Sequence, residues 1–124
     1  MADLYGALSV SASGMEAQSS RLRHVSENIA NADTPGYRRK LVSFAEAVDG
    51  ITVSPVRLDQ KALTRVYDPG NPLADETGHY DGSNVDLMIE VADAREAQRS
   101  YEANLKMFDQ ARQMSRDLLE LLRK

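Results

Sequence analysis

The chain has no cysteine and no tryptophan, and its aromatic residues stop at five tyrosines and two phenylalanines. Without cysteine there can be no disulfide, no thiolate metal site and no cysteine nucleophile. With so few aromatics, a core must rest on Leu, Val, Ile, Met and Ala, which suits helix packing. Basic charge is also short. Residues 1–40 carry five basic and four acidic groups, 41–83 three and seven, and 84–124 seven and eight. None of these thirds offers a basic face able to neutralise phosphates, which sets nucleic acid aside as a partner. No apolar run approaches the ~20 residues that span a bilayer. The first residues, Met1 to Tyr5, lack the basic start and apolar stretch of a secretory signal. Neither membrane insertion nor a cleaved signal is expected.

What is present is heptad order at both ends of a 124-residue chain, the length of one ordinary domain. Leu8, Met15, Leu22 and Ile29 stand seven apart, with Leu4, Val25 and Ala32 on a companion row that Ser11 and Gln18 interrupt. One long helix is expected, ending near Asp33, because Pro35 disfavours helical geometry at Thr34 and Pro35-Gly36 suits the centre of a type II turn. Its serines and Gly14 lower intrinsic helix preference, so its first half should be labile without a partner.

The period then changes. Leu41 to Phe44, Ile51 to Leu58 and Leu63 to Tyr67 are rich in β-branched residues and read as short strands. Residues 68–83 hold two prolines and three glycines, a turn-rich loop. Ser83, with Asp86 three residues on, reads as the cap of a second helix running from Asn84 to about Leu122. That helix carries one stripe through Leu87, Val91, Ala94, Gln98, Tyr101, Leu105, Phe108, Arg112, Ser115, Leu119 and Leu122. A second stripe, Met107, Ala111, Met114, Leu118 and Leu121, widens its apolar face toward the C-terminus.

The expected architecture is mainly α, with two long terminal helices packed as an antiparallel coiled-coil-like pair. Residues 1–33 form the first helix, 34–83 a small middle region of turn, short strands and loop, and 84–124 the second helix. The narrow first seam has too few large residues to hold a long helix against one partner, so further partners are expected. Leu8, Met15, Leu22, Ile29, Leu105, Phe108, Leu118, Leu119 and Leu122 are the expected assembly interface.

No motif calls for catalysis or a cofactor. His24 and His79 lack the spacing of a zinc site. Asp81 to Asp86 resembles a calcium loop only superficially, since the sixth position is Asp86 instead of glycine and the twelfth is Ala92. Arg38-Arg39-Lys40 reads as a solvated basic patch. No catalytic, cofactor-binding or metal residue is expected.

The most specific segment is Ser26-Glu-Asn-Ile-Ala-Asn-Ala-Asp-Thr-Pro-Gly-Tyr-Arg38. Asn28 and Asn31 can bridge helix-end carbonyls to the turn and set the angle at which the middle region departs. Here the sequence resembles the axial-protein family of the bacterial flagellum, through Asn28, Ile29, Ala30, Asn31, Thr34, Gly36 and Tyr37. Tyr67 to Gly78, Asn84-Val-Asp86 and Ala97 to Asn104 extend the likeness to its small proximal-rod members. The resemblance implies a structural subunit whose terminal helices pack in the inner wall of a tubular rod. Its partners would be other rod proteins, further copies of itself and the type III export apparatus that delivers it. MS-ring or rod adaptor components would stand beside it in the periplasm-spanning basal body. A soluble helical adaptor or export chaperone is the alternative.

Overall fold

The computed structural model describes residues 2–47 and 49–123. It contains two long helices, α1 (Ala2–Ala30) and α2 (Leu87–Arg123). Between them lie six short strands: β1 (Lys40–Leu41), β2 (Phe44–Ala47), β3 (Gly50–Val53), β4 (Arg57–Leu58), β5 (Arg65–Tyr67) and β6 (His79–Asp81). The fold is mainly helical with a small β and loop middle region.

The strands form three separate antiparallel pairs, β1 with β4, β2 with β3 and β5 with β6. The Ile51 to Leu58 run divides because Pro55 cannot donate to a ladder, leaving β3 and β4 in different pairs. The β2–β3 hairpin leans on α1, where the Ile51 amide donates to Ser13 Oγ at 3.0 Å.

The start of α2 corrects the expected cap. The helix begins at Leu87, and Asp86 supplies the capping oxygen, accepting from the Met88 amide at 3.0 Å. Ser83 instead donates its hydroxyl to the Ala32 carbonyl and accepts from the Val85 amide, tying the approach to α2 onto the end of α1.

The two helices meet along a seam of small and polar residues. On α1 it buries Ser11, Gly14, Ala17, Val25 and Asn28, and on α2 Glu90, Ala97 and Ala111. Gly14 permits the close approach: a Cβ there would lie 2.7 Å from Asn104 Oδ1. The interruptions at Ser11 and Gly14, expected to weaken α1, are thus buried, and Gly14 lies against Asn104 of α2. Followed from Asn28 through Arg21 and Gly14 to Leu4, α1 meets Glu90, then Asp93, then Asn104, then Met114. Among the described residues no helix is long and apolar enough to cross a membrane.

Candidate functional site

The end of α1, the following turn and the start of α2 converge on one polar junction. Thr34 to Tyr37 form the turn, closed by the Tyr37 amide on the Thr34 carbonyl at 3.2 Å, with Gly36 at φ +74° as a type II turn requires. Asn31 Nδ2 donates back to the Glu27 carbonyl at 2.8 Å, and Thr34 Oγ1 donates to Asn31 Oδ1 at 3.1 Å. The Glu27, Asn28 and Ile29 carbonyls at the end of α1 therefore accept from the Asn31 and Ala32 amides, with the Asn31 side chain adding a second donor to Glu27.

Asn28 is buried and its amide is fully employed. Its Oδ1 accepts from the Lys40 amide at 2.8 Å and the Tyr37 hydroxyl at 2.9 Å. Its Nδ2 reaches the Lys40 carbonyl at 3.1 Å and Glu90 Oε2 at 3.3 Å. Burial pushes the Tyr37 phenol above its ordinary range. The side chain thus copies a strand partner for Lys40 while gripping α2.

Glu90 has no solvent exposure, and its second oxygen accepts from Arg39 Nε at 2.7 Å. The same guanidinium lies 3.4 Å from Asp93 and 3.5 Å from Asp59, so one cation gathers carboxylates from α2 and the middle region. Arg21 of α1 adds a 3.3 Å contact to Asp93. Lys40 pairs with Glu27 at 2.6 Å, and that hydrogen bond holds the Glu27 carboxyl below the usual range. Asn84 completes the junction: its Oδ1 accepts from the Arg39 amide at 2.7 Å, and its Nδ2 donates to the Asp59 and Lys61 carbonyls.

Arg39 and Lys40 are therefore built into the junction, which corrects their reading as a solvated patch. Glu90, Asp59, Asp93 and Arg21 carry no motif, and sequence inspection missed them, while Asn84 stood out only as part of the Asn84-Val-Asp86 likeness. One signal was available: Glu90, Ala97, Asn104 and Ala111 stand seven apart, marking a narrow seam beside the more conspicuous apolar stripe.

The large apolar residues lie beside that seam. Leu8, Met15 and Leu22 are half-buried, and Ile29 is exposed. On α2 Phe108 is half-buried, Leu105, Leu118 and Leu119 are exposed, and Leu122 is 77% exposed. Within this one chain many large apolar side chains of the helix pair remain exposed, among them Met107, Met114, Leu121 and Leu122.

The histidines sit in unrelated settings. His24 is buried in the helix pair, 3.9 Å from the Glu27 carboxylate, whereas His79 is on β6 beside Tyr67. Asp81 faces Arg65 while Asp86 caps α2. Among the described residues no cluster of three or more metal-ligating side chains occurs.

Comparison with known proteins accords with this arrangement. A family model described as flagella basal body rod protein matches residues 8–38, which hold most of α1 and the turn. A second, described as flagellar basal body rod FlgEFG protein C-terminal, matches residues 76–121. The flagellar basal-body rod protein FlgC of Agrobacterium fabrum is 44% identical, over 99% of this chain and 98% of the relative. The FlgC proteins of Aquifex aeolicus and Salmonella typhimurium are 40% and 36% identical, covering 87% and 90% of this chain and 89% and 92% of theirs. The chain belongs to the FlgC family of flagellar basal-body rod proteins.

Proposed function

We propose that the chain, a structural subunit of the flagellar basal-body rod, works by presenting a helix pair whose uncovered apolar rows are completed by neighbouring subunits as the helices become ordered in the assembly. The observation that carries this is the displacement of the large apolar residues from the intrachain seam on both helices. The pair is read as an antiparallel coiled-coil-like unit, supported by the opposite order in which contacts run along α1 and α2. In such a pair Leu8, Met15, Leu22 and Ile29 turn away from the hairpin side. They come to the same side as Val91, Leu105, Phe108, Leu119 and Leu122. One continuous apolar face results, opposite the middle region.

The junction at Asn28, Arg39 and Glu90 then fixes the angle between that face and the middle region. Packing against other rod proteins and further copies through heterologous contacts generates a tube that transmits torque from rotor to hook. Delivery by the type III export apparatus, contact with MS-ring or rod adaptor components and residence across the periplasm belong to the same proposal.

Circular dichroism of the dilute purified chain, alone and with rod partners, tests it. Weak helicity that rises on mixing is expected. A strong, cooperatively melting helix in a stable small oligomer, with no chain in isolated basal bodies, would fit a soluble adaptor and sink the rod reading.

A further inference from the structure

The loop from Tyr67 to Gly78 is an exposed knob on a stiff base. Leu73 and Tyr67 at its surface are 62% and 67% exposed. Below them the Asp75 carboxylate accepts from Arg65 at 2.7 Å, from Thr77 through its hydroxyl at 2.6 Å and its amide at 2.9 Å, and from the His79 amide at 3.1 Å. The Tyr67 ring rests against His79 with centroids 5.1 Å apart. A loop so held loses little conformational entropy on docking.

The charges around the knob are one-signed. Between Arg65 and Arg95 the chain carries seven carboxylates and no Lys or Arg. Most are spoken for: Asp75 and Asp81 face Arg65, Glu90 and Asp93 face Arg39, and Asp86 caps α2. Asp68 and Glu76, flanking Leu73, are exposed and have no ion-pair partner among the described residues.

A patch of matching character lies on the outer face of α2. Leu87, Met88, Val91 and Ala92 form a shallow apolar hollow, in which Met88 is 83% exposed. Arg95, Glu96 and Arg99 border it; Glu96 lies 3.4 Å from Arg21, whereas Arg95 and Arg99 are exposed and without an ion-pair partner among the described residues. Two unpaired anions beside an apolar knob and two unpaired cations beside an apolar hollow are complementary in sign and in kind.

Resting on the rod-subunit reading, we propose that the Leu73 knob of one copy docks in the Leu87 to Ala92 hollow of a second copy, with Asp68 and Glu76 facing Arg95 and Arg99. The contact joins two different patches, so it is heterologous and propagates from copy to copy instead of closing a pair. Hydrophobic burial at the centre supplies affinity, and the rim charges set orientation and exclude like-charged neighbours.

Disulfide capture in isolated basal bodies tests this, because the chain has no cysteine of its own. A Leu73→Cys, Met88→Cys double variant, expressed in place of the native chain, should give a ladder of covalent multimers on oxidation, while either single variant gives none. Adding Arg95→Glu and Arg99→Glu should cut the ladder by roughly fivefold, and further adding Asp68→Lys and Glu76→Lys should restore it. No ladder from a chain that is present in basal bodies would overturn the contact and leave the rod reading standing. So would failure of the second charge reversal to restore the ladder. Absence of the chain from basal bodies would overturn both.

Discussion

Arg39 Nε stands 2.7 Å from Glu90 Oε1, and Glu90 is wholly removed from solvent. This pair joins the segment leaving α1 to the first turn of α2, so neither helix can leave the other without stranding a buried charge. Removing one partner of such a pair typically costs about 3–5 kcal/mol. Glu90→Ala and Arg39→Ala should each lower the urea concentration at which the subunit leaves isolated basal bodies. The double variant should cost much less than the sum of the two. Strict additivity would show that the pair is not coupled. Arg38→Ala, which removes hydrogen bonds only to the Asp59 and Lys61 carbonyls, should have a smaller effect.

The Gly14–Asn104 contact gives a prediction whose sign depends on its context. Gly14→Ala improves helix preference by about 1 kcal/mol but drives a methyl into the Asn104 amide. Alone, it should weaken helix pairing or leave it unchanged. Combined with Asn104→Ala, which clears the space, it should exceed the native chain in helix content at a given urea concentration. Circular dichroism in the presence of rod partners reads both, and equal behaviour of the single and double variants would contradict the close approach.

Leu119 separates folding from assembly. It is half exposed within this chain, so Leu119→Asp adds a charge to surface and should change intrachain packing by no more than about 0.5 kcal/mol. Against a neighbouring subunit the same carboxylate would be buried without a partner. Export of the chain should continue while rod incorporation and motility are lost. Normal swimming would remove Leu119 from the interface.

The knob loop predicts an acid dependence. Hydrogen bonds from Thr77 and Arg65 hold the Asp75 carboxyl well below the usual carboxylate range. A lowered folded pKa means that the clamp's contribution is present above about pH 4, where an unfolded Asp ionises. It drains away only as pH falls through the folded value. The Thr77 and His79 amide shifts should therefore hold their neutral-pH positions down to pH 4 in an NMR titration. Asp75→Asn should move both at every pH. Amide shifts that follow an ordinary carboxylate curve would show that the clamp is weaker than its geometry implies.

Periodicity made both helices legible, because an apolar row recurring every three or four residues has only one economical geometry. Pro35-Gly36 likewise marked the turn, through the φ preferences of those two residues. The β region was legible only as a tendency: two- to four-residue strands owe their existence to what they pair with, and Pro55 decided where one run became two strands.

By itself, the sequence determined the two helices, the turn between α1 and the middle region, and the apolar rows along the helices. Tertiary structure alone decided which rows face inward. The conspicuous leucines are displaced from the seam because Gly14, Ala17, Ala97 and Ala111 let the helix backbones come closer than large side chains would. It also decided that Arg39 and Glu90 meet, since residues 51 positions apart share a site only when the chain has turned back on itself. Local pattern records what each residue prefers, whereas a buried ion pair records which preferences could be satisfied together.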